Sequence, residues 1–347
     1  MSGKSTKIVY VDPSYKAYYE NRLFDHNNLA LNRDDTLAPF IRLRNSLIQK
    51  GFFINTADQL FQQITQEQSC DYYSMGMLEN YEQLKTRKNV SLKAFVIFEP
   101  PVVAPNLYRA LSDLTGVFEH VYVHNIEGDG YSLEGVDQSR LRKLYWPQPR
   151  KDVLLKFWNR EDRLSRIVMI NGNHKPAFYD GELYSKRIEV LSELSAFGRV
   201  DLYGRGWEKW WSRSSMWLPY WKHRRKLMSI YKGPCISKYE VLSNYSFALC
   251  FENMAMKGYV TEKIFDCLYA GTIPLYLGAS DILDLLPEHA YIDCRKFSSW
   301  DAMHNKIMDM NDREILSMRL AGRAFIQSEK GKNYYNSLLS IFNNVSN

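Results

Sequence analysis

Short continuous apolar runs, each followed by a stretch of helical period, recur along this chain, and that alternation is what most narrows the folds open to it. Residues 7–11, Lys-Ile-Val-Tyr-Val, end in Asp12-Pro13, the pattern of a buried strand feeding a loop at its carboxyl end. Leu37, Phe40, Ile41, Leu47 and Ile48 then recur at helical spacing, with Thr36 placed to cap that helix and Gly51 to stop it. A second apolar segment covers 51–56, and after a polar helical stretch residues 94–98 repeat the strand pattern before Glu99-Pro100-Pro101. Further along, 166–170, 199–203, 246–251 and 273–277 read as strands, with helices over 182–196, 261–270, 280–286, 299–310 and 312–327. Strands this apolar, alternating with helices, imply parallel sheets covered on both faces.

At 347 residues the chain exceeds one ordinary core, so two domains are expected. The charged, proline-flanked stretch Gln148–Arg163 puts the boundary near residue 160, giving domains 1–160 and 161–330 and a C-terminal helix, 331–347, free to pack back on the first. Two doubly wound, Rossmann-like domains carry their ligand sites at the carboxyl ends of their strands, facing one another across a cleft.

The chain is 45% hydrophobic and 24% charged, without a Pro- or Gly-dominated tract, which excludes a disordered linker protein. No apolar run nears the roughly 18 residues that span a bilayer, and Met1–Lys7 lacks the apolar core of a signal peptide. A cytoplasmic protein, or a catalytic core cut from an anchored one, is the expectation. The five cysteines are widely spaced and lack C-x-x-C pairs, so they read as reduced thiols, Cys250 and Cys267 as small hydrophobes. A net charge of +6, locally concentrated, favours anionic ligands or surfaces.

The chemistry concentrates in Ser246–Gly278, which reads strand, loop, helix, strand. Glu252 and Asn253 end a buried strand, Gly258 loosens the loop, and Thr261 stands where it can cap a helix opening with Glu262 and Lys263. Free amides at a helix N-terminus beside a lysine suit a diphosphate, and a nearby carboxylate suits ribose hydroxyls. A capped amphipathic helix with a polar first turn would carry the same residues with no ligand at all.

The wording of the stretch is more specific. Phe251-Glu252-Asn253, Tyr259-Val260-Thr261-Glu262-Lys263 and Ile273-Pro274-Leu275-Tyr276-Leu277-Gly278, followed by Leu286-Pro287-Glu288 and Tyr291-Ile292-Asp293, resemble the donor-binding region of the bacterial-type α1,3-fucosyltransferases, glycosyltransferase family 10. The likeness is strong over 240–300 and fainter elsewhere. It implies the two-domain GT-B fold and inverting transfer of fucose from GDP-fucose, a nucleotide sugar, to a glycan hydroxyl, the acceptor being an oligosaccharide or lipid-linked glycan such as a surface polysaccharide or lipopolysaccharide.

Carried over by position, the resemblance makes Lys263 a phosphate contact and Glu262 the partner of the ribose hydroxyls. Asn253, Tyr259 and Thr261 would line the diphosphate and sugar region, and Glu252 would touch the sugar. Tyr184-Ser185-Lys186-Arg187 opens a helix where the family has a phosphate-binding arginine, a role for Arg187, or for Lys186 if the register slips by one; an arginine fork suits a pyrophosphate. Glu99 matches the family's general base, although a surface glutamate before a Pro-Pro turn would look the same locally. Glu99 would deprotonate the acceptor while Arg187 and Lys263 meet the charge growing on the diphosphate. With no Asp-x-Asp and no His/Cys/Asp cluster in the sequence, no metal or other cofactor is expected.

Between Arg205 and Lys232 the sequence departs from that family core. Trp207, Trp210, Trp211, Trp217, Tyr220 and Trp221 crowd around Arg213, Lys222, Arg224, Arg225 and Lys226. Two readings stand: an acceptor or peripheral membrane element at 207–226, or a local aromatic core with a solvated basic rim. His124 and Trp146 are candidate acceptor contacts. Stacking of nucleic-acid bases on 207–226 is the rival from another class, but a recognised nucleic-acid-binding motif is missing. A catalytically dead glycan-binding protein is disfavoured by the presence of Glu99, Arg187, Asn253, Glu262 and Lys263, and another nucleotide-sugar donor is the alternative within the enzyme class.

Overall fold

The computed structural model describes residues 7–63, 69–209 and 217–343. The chain forms two compact α/β units, one made of the residues up to Pro149 and those from Asn333 onward, the other of Arg150–Lys332.

The first unit holds β1 (Ile8–Asp12), β2 (Phe53–Thr56), β3 (Cys70–Ser74), β4 (Val90–Val96), β5 (His120–Val123) and β6 (Leu141–Lys143), ordered β2-β1-β3-β4-β5-β6 and parallel throughout. The pleat sends alternate side chains to opposite faces. Val9 and Val11 join Ala94 and Val96 under the helix Ala38–Gln49, while Tyr10, Tyr72 and Phe95 pack with Leu111 and Leu114 on the other side. Leu338 and Ile341 of the C-terminal helix Ser337–Ile341 enter the first of these cores, and Phe342 stacks on Tyr73 with ring centroids 3.9 Å apart.

Thr36 does not cap the first long helix. Its hydroxyl donates to the Arg33 carbonyl, Leu37 takes the cap position, and Pro39 sits in the first turn, where its missing N–H costs nothing. Gly51, at φ +85°, does end that helix, in the left-handed conformation that glycine adopts without strain.

The second unit holds β7 (Leu164–Ile170), β8 (Val200–Tyr203), β9 (Tyr231–Gly233), β10 (Tyr245–Phe251), β11 (Ile273–Leu277) and β12 (Ile292–Asp293), ordered β12-β11-β10-β7-β8-β9 and again parallel throughout. Every residue of β10 is buried, as befits a central strand covered on both faces. The expected parallel α/β architecture is present in each unit.

The boundary falls at Pro149–Arg150 rather than near 160. The charged stretch reads as a linker but is packed: Leu154 N–H donates to the Tyr269 carbonyl at 3.0 Å, and the Arg163 guanidinium binds the carbonyls of Phe157 (2.7 Å) and Ala270 (2.6 Å). β3 lies in the middle of its sheet inside what reads as a polar helical stretch. Cys-Asp-Tyr-Tyr-Ser is short, and two tyrosines supply its buried surface. None of the five cysteines forms a disulfide, and four are buried. Among the described residues no helix is long and apolar enough to cross a membrane.

Candidate functional site

The carboxyl end of β10 in the second unit gathers the residues that the sequence singles out. Glu252 is fully buried there. Its Oε1 accepts from the Thr261 amide at 2.8 Å, and its Oε2 accepts from the Thr261 hydroxyl at 2.8 Å and from Lys263 Nζ at 3.0 Å. Lys263 Nζ also reaches Thr261 Oγ1 at 2.9 Å and lies 3.7 Å from Glu262. Burial alone would lower the Lys263 pKa, but the Glu252 and Glu262 carboxylates overcome it and hold the ammonium above its ordinary value. Burial likewise opposes ionisation of Glu262, yet Lys263 and then Lys238 keep its pKa below the usual range.

Two expectations change on this geometry. Both oxygens of the Glu252 carboxylate are occupied inside the protein, so Glu252 fixes Lys263 and the loop rather than facing a sugar. Thr261 is the N-cap of the helix Glu262–Ala270, yet its hydroxyl donates to Glu252 and makes no cap hydrogen bond, so the helix N-terminus has no side-chain cap.

Arg187 lies in the helix Tyr184–Leu194 and is buried. Its Nη2 donates to the Phe251 carbonyl at 2.7 Å and to Asn253 Oδ1 at 2.9 Å, and Asn253 Nδ2 donates in turn to the Tyr259 hydroxyl at 3.3 Å. Arg187 Nε is buried and meets no acceptor among the described residues, a donor that an anionic ligand would satisfy. Burial lowers its pKa against the opposing pull of Tyr184 and Glu252. Lys186 points elsewhere: it is exposed and pairs with Glu189 at 2.8 Å. The structure therefore brings Arg187, Asn253, Tyr259, Thr261, Glu262 and Lys263 together and leaves Lys186 out.

Several supporting residues escape sequence reasoning. A Cβ on Gly278 would stand 2.4 Å from the Tyr276 hydroxyl and 2.6 Å from Glu252 Cγ, so any side chain there must displace one of them. Gly258 N–H donates to Asp281 Oδ1 at 2.8 Å, pinning the loop. His174 is close enough to Arg187 for that cation, after burial, to lower its pKa. Lys238, paired with Asp266, shares a cavity of about 70 Å³ with Asn171, Glu262 and Lys263. The Tyr276-Leu277-Gly278 wording signals Gly278, but no local pattern reports Lys238 or Asp281.

In the first unit Glu99 follows β4 and lines a cavity of about 190 Å³ together with Trp146. His124 does not line it. It is fully buried, its Nε2 lies 2.6 Å from the Phe98 carbonyl, and its ring stacks on Trp146 with centroids 6.1 Å apart, so it supports Trp146 from behind. Burial, with the Lys143 charge in support, brings the His124 pKa down to about 4.

The aromatic segment resolves partly. Trp207, Trp217 and Tyr220 are buried; Trp207 Nε1 donates to the Asn171 carbonyl at 2.6 Å and its ring meets that of Tyr220 at 6.0 Å, while Trp217 lies beside Tyr179, so none of the three offers its ring to a membrane surface. Lys222, Arg225 and Lys226 are exposed on the helix Leu218–Ile230. Trp210, Trp211 and Arg213 lie outside the described residues. Among the described residues no three His, Cys, Asp or Glu side chains gather as metal ligands.

Two six-stranded parallel sheets in separate α/β units, with a cation-bearing site at the carboxyl end of a central strand, define the GT-B type of fold. A crystal structure of an α1,3-fucosyltransferase shares that fold with a TM-score of 0.57 at 14% identity, covering 99% of this chain and 92% of that one. Residues 180–319, the stretch that carries the site, match the model of Glycosyltransferase family 10 (fucosyltransferase) C-term.

Two relatives extend the likeness. Alpha-(1,4)-fucosyltransferase of Arabidopsis thaliana is 41% identical over 74 residues, 21% of this chain and 18% of that protein. GDP-fucose protein O-fucosyltransferase 3 of Gallus gallus is 38% identical over 189 residues, 52% of this chain and 34% of that protein. The chain thus spans about a third or less of either relative.

Proposed function

We propose that this protein is an inverting glycosyltransferase that moves L-fucose from GDP-fucose to a hydroxyl of a glycan acceptor, a surface polysaccharide or lipopolysaccharide. The observation that carries the reading is the buried Glu252–Thr261–Lys263 network with Arg187, set at the end of a parallel strand inside the segment that matches the family 10 model. A charged lysine, an arginine with a spare buried donor and a helix N-terminus without a side-chain cap suit a nucleoside diphosphate.

In this mechanism the second unit binds GDP-fucose, with Lys263 and Arg187 on the diphosphate and Glu262 on the ribose hydroxyls. Glu99 of the first unit takes the proton of the acceptor hydroxyl as that oxygen bonds to the anomeric carbon. The bond from that carbon to the diphosphate oxygen breaks, and GDP leaves with the electron pair. The two cations meet its growing charge without a resident metal.

The length and identity of the match to a protein O-fucosyltransferase favour a second reading, in which the acceptor hydroxyl belongs to a protein side chain. The exposed cations of the helix Leu218–Ile230 favour peripheral contact with an anionic membrane surface.

The test is a donor panel of GDP-fucose, GDP-mannose, UDP-glucose and UDP-galactose, run with chelator and read by mass spectrometry of released nucleotide and of product. GDP-fucose alone should be consumed, with an increase of one fucose on the acceptor. Preference for another donor, or dependence on added metal, would overturn the donor or the metal assignment respectively.

A further inference from the structure

The cavity at Glu99 has walls of a particular chemistry. Tyr15, Tyr18, Phe40, Phe98 and Trp146 line it together with Glu99. Phe98 and Trp146 meet edge to face with ring centroids 5.7 Å apart, and Tyr15 and Tyr18 pair at 6.3 Å. The polar side chains Ser14 and Thr36 also reach the cavity, but their hydroxyls are engaged, Ser14 with the Met75 carbonyl and Thr36 with the Arg33 carbonyl at 2.9 Å.

A sugar hydroxyl seated against Leu23, Phe40, Met75 or Phe98 would lose water without gaining a partner, whereas the polar edge of the reacting sugar suits the side of the cavity that carries Tyr15, Tyr18 and Glu99. An apolar group loses nothing there and gains by leaving water. At about 190 Å³ the cavity exceeds the roughly 150 Å³ that accommodates a benzene ring in an apolar protein cavity.

We infer that this cavity is a subsite for an apolar aglycone: the acceptor is a glycoside bearing an aryl or alkyl group, which the aromatic cavity holds while the reacting hydroxyl faces Glu99. The inference rests on the proposed acceptor role of the first unit and adds the chemical class of the acceptor. Tyr15, at 63% exposure, forms the lip of the subsite, and Phe40 one of its walls.

The experiment measures acceptor binding directly, so it needs no donor. Calorimetry compares one disaccharide as the free sugar, the phenyl glycoside and the octyl glycoside on wild type, Tyr15→Ala and Phe40→Ala. The phenyl or octyl glycoside should bind about tenfold or more tightly than the free sugar, as burial of one apolar group dictates. Both variants should lose that advantage while their affinity for GDP holds. Phenyl and octyl arms separate a ring-shaped from a chain-shaped aglycone. Equal binding of all three sugars, an advantage that survives both variants, or tighter binding of a serine peptide flanked by phenylalanine would overturn the assignment. Failure of GDP-fucose turnover with the aglycone preference intact would instead count against the proposed activity alone.

Discussion

The two candidate sites differ in how they are built. In the second unit Glu252, Thr261 and Lys263 are at most eleven positions apart and hydrogen-bond one another. The cavity of the first unit draws its walls from Pro13 to Pro147, and most of them are apolar. The first arrangement is electrostatic and brittle, because each member leaves a buried partner stranded when removed. The second is a shaped apolar surface around one carboxylate, where a single change alters affinity or rate more than folding.

That contrast can be broken by substitution. The largest expected effect is on rate: Glu99→Gln should slow transfer by about 100- to 10,000-fold, the usual worth of a positioned base. Its GDP affinity and unfolding midpoint should match wild type. A parallel loss of stability would mean that Glu99 is structural. Next, Lys263→Ala strands the buried Glu252 carboxylate and should cost about 3–5 kcal/mol in urea unfolding, with weaker GDP binding by calorimetry. Unchanged stability would show that the network is not closed in the way described.

His124 makes a pH-dependent prediction. Its folded pKa, about 4, lies below its ordinary value of 6.5, so the unfolded chain takes up the proton first as pH falls. Its contribution to stability is therefore full above pH 6.5 and lost progressively toward pH 4, at about 3 kcal/mol in all. His124→Gln should flatten that part of the stability profile measured by urea midpoints, and an unchanged acid slope would locate the proton elsewhere. Smallest is Gly278→Ala, whose methyl group must displace Tyr276 or Glu252, for about 1–3 kcal/mol and a modest loss of GDP affinity. A neutral outcome would show that Glu252 has room to move.

The same contrast explains what the sequence makes legible. β10, the helix Glu262–Ala270 and β11 are strongly patterned elements that follow one another within 33 residues, so the donor-side site is readable as a local string. The role of Glu252 is not, because a carboxylate's hydrogen-bond partners depend on the fold of the loop that returns past it. β6, β9 and β12 pass unnoticed for another reason: each has three residues or fewer, too few to show a period. The charged surroundings of Arg163 imitate a linker because its buried carbonyl partners carry no side-chain signal. The acceptor cavity is invisible in sequence, its walls being assembled from distant segments by the sheet.

The proposed function requires the second unit to hold a guanine nucleotide diphosphate on Arg187 and Lys263. Calorimetric titration with GDP and with UDP, chelator present, on wild type and Arg187→Met tests it most directly. GDP should bind wild type in preference to UDP, and Arg187→Met should weaken it by about 10- to 100-fold, the worth of one or two charged hydrogen bonds. Absence of GDP binding to wild type, or equal GDP affinity in the folded variant, would contradict the account.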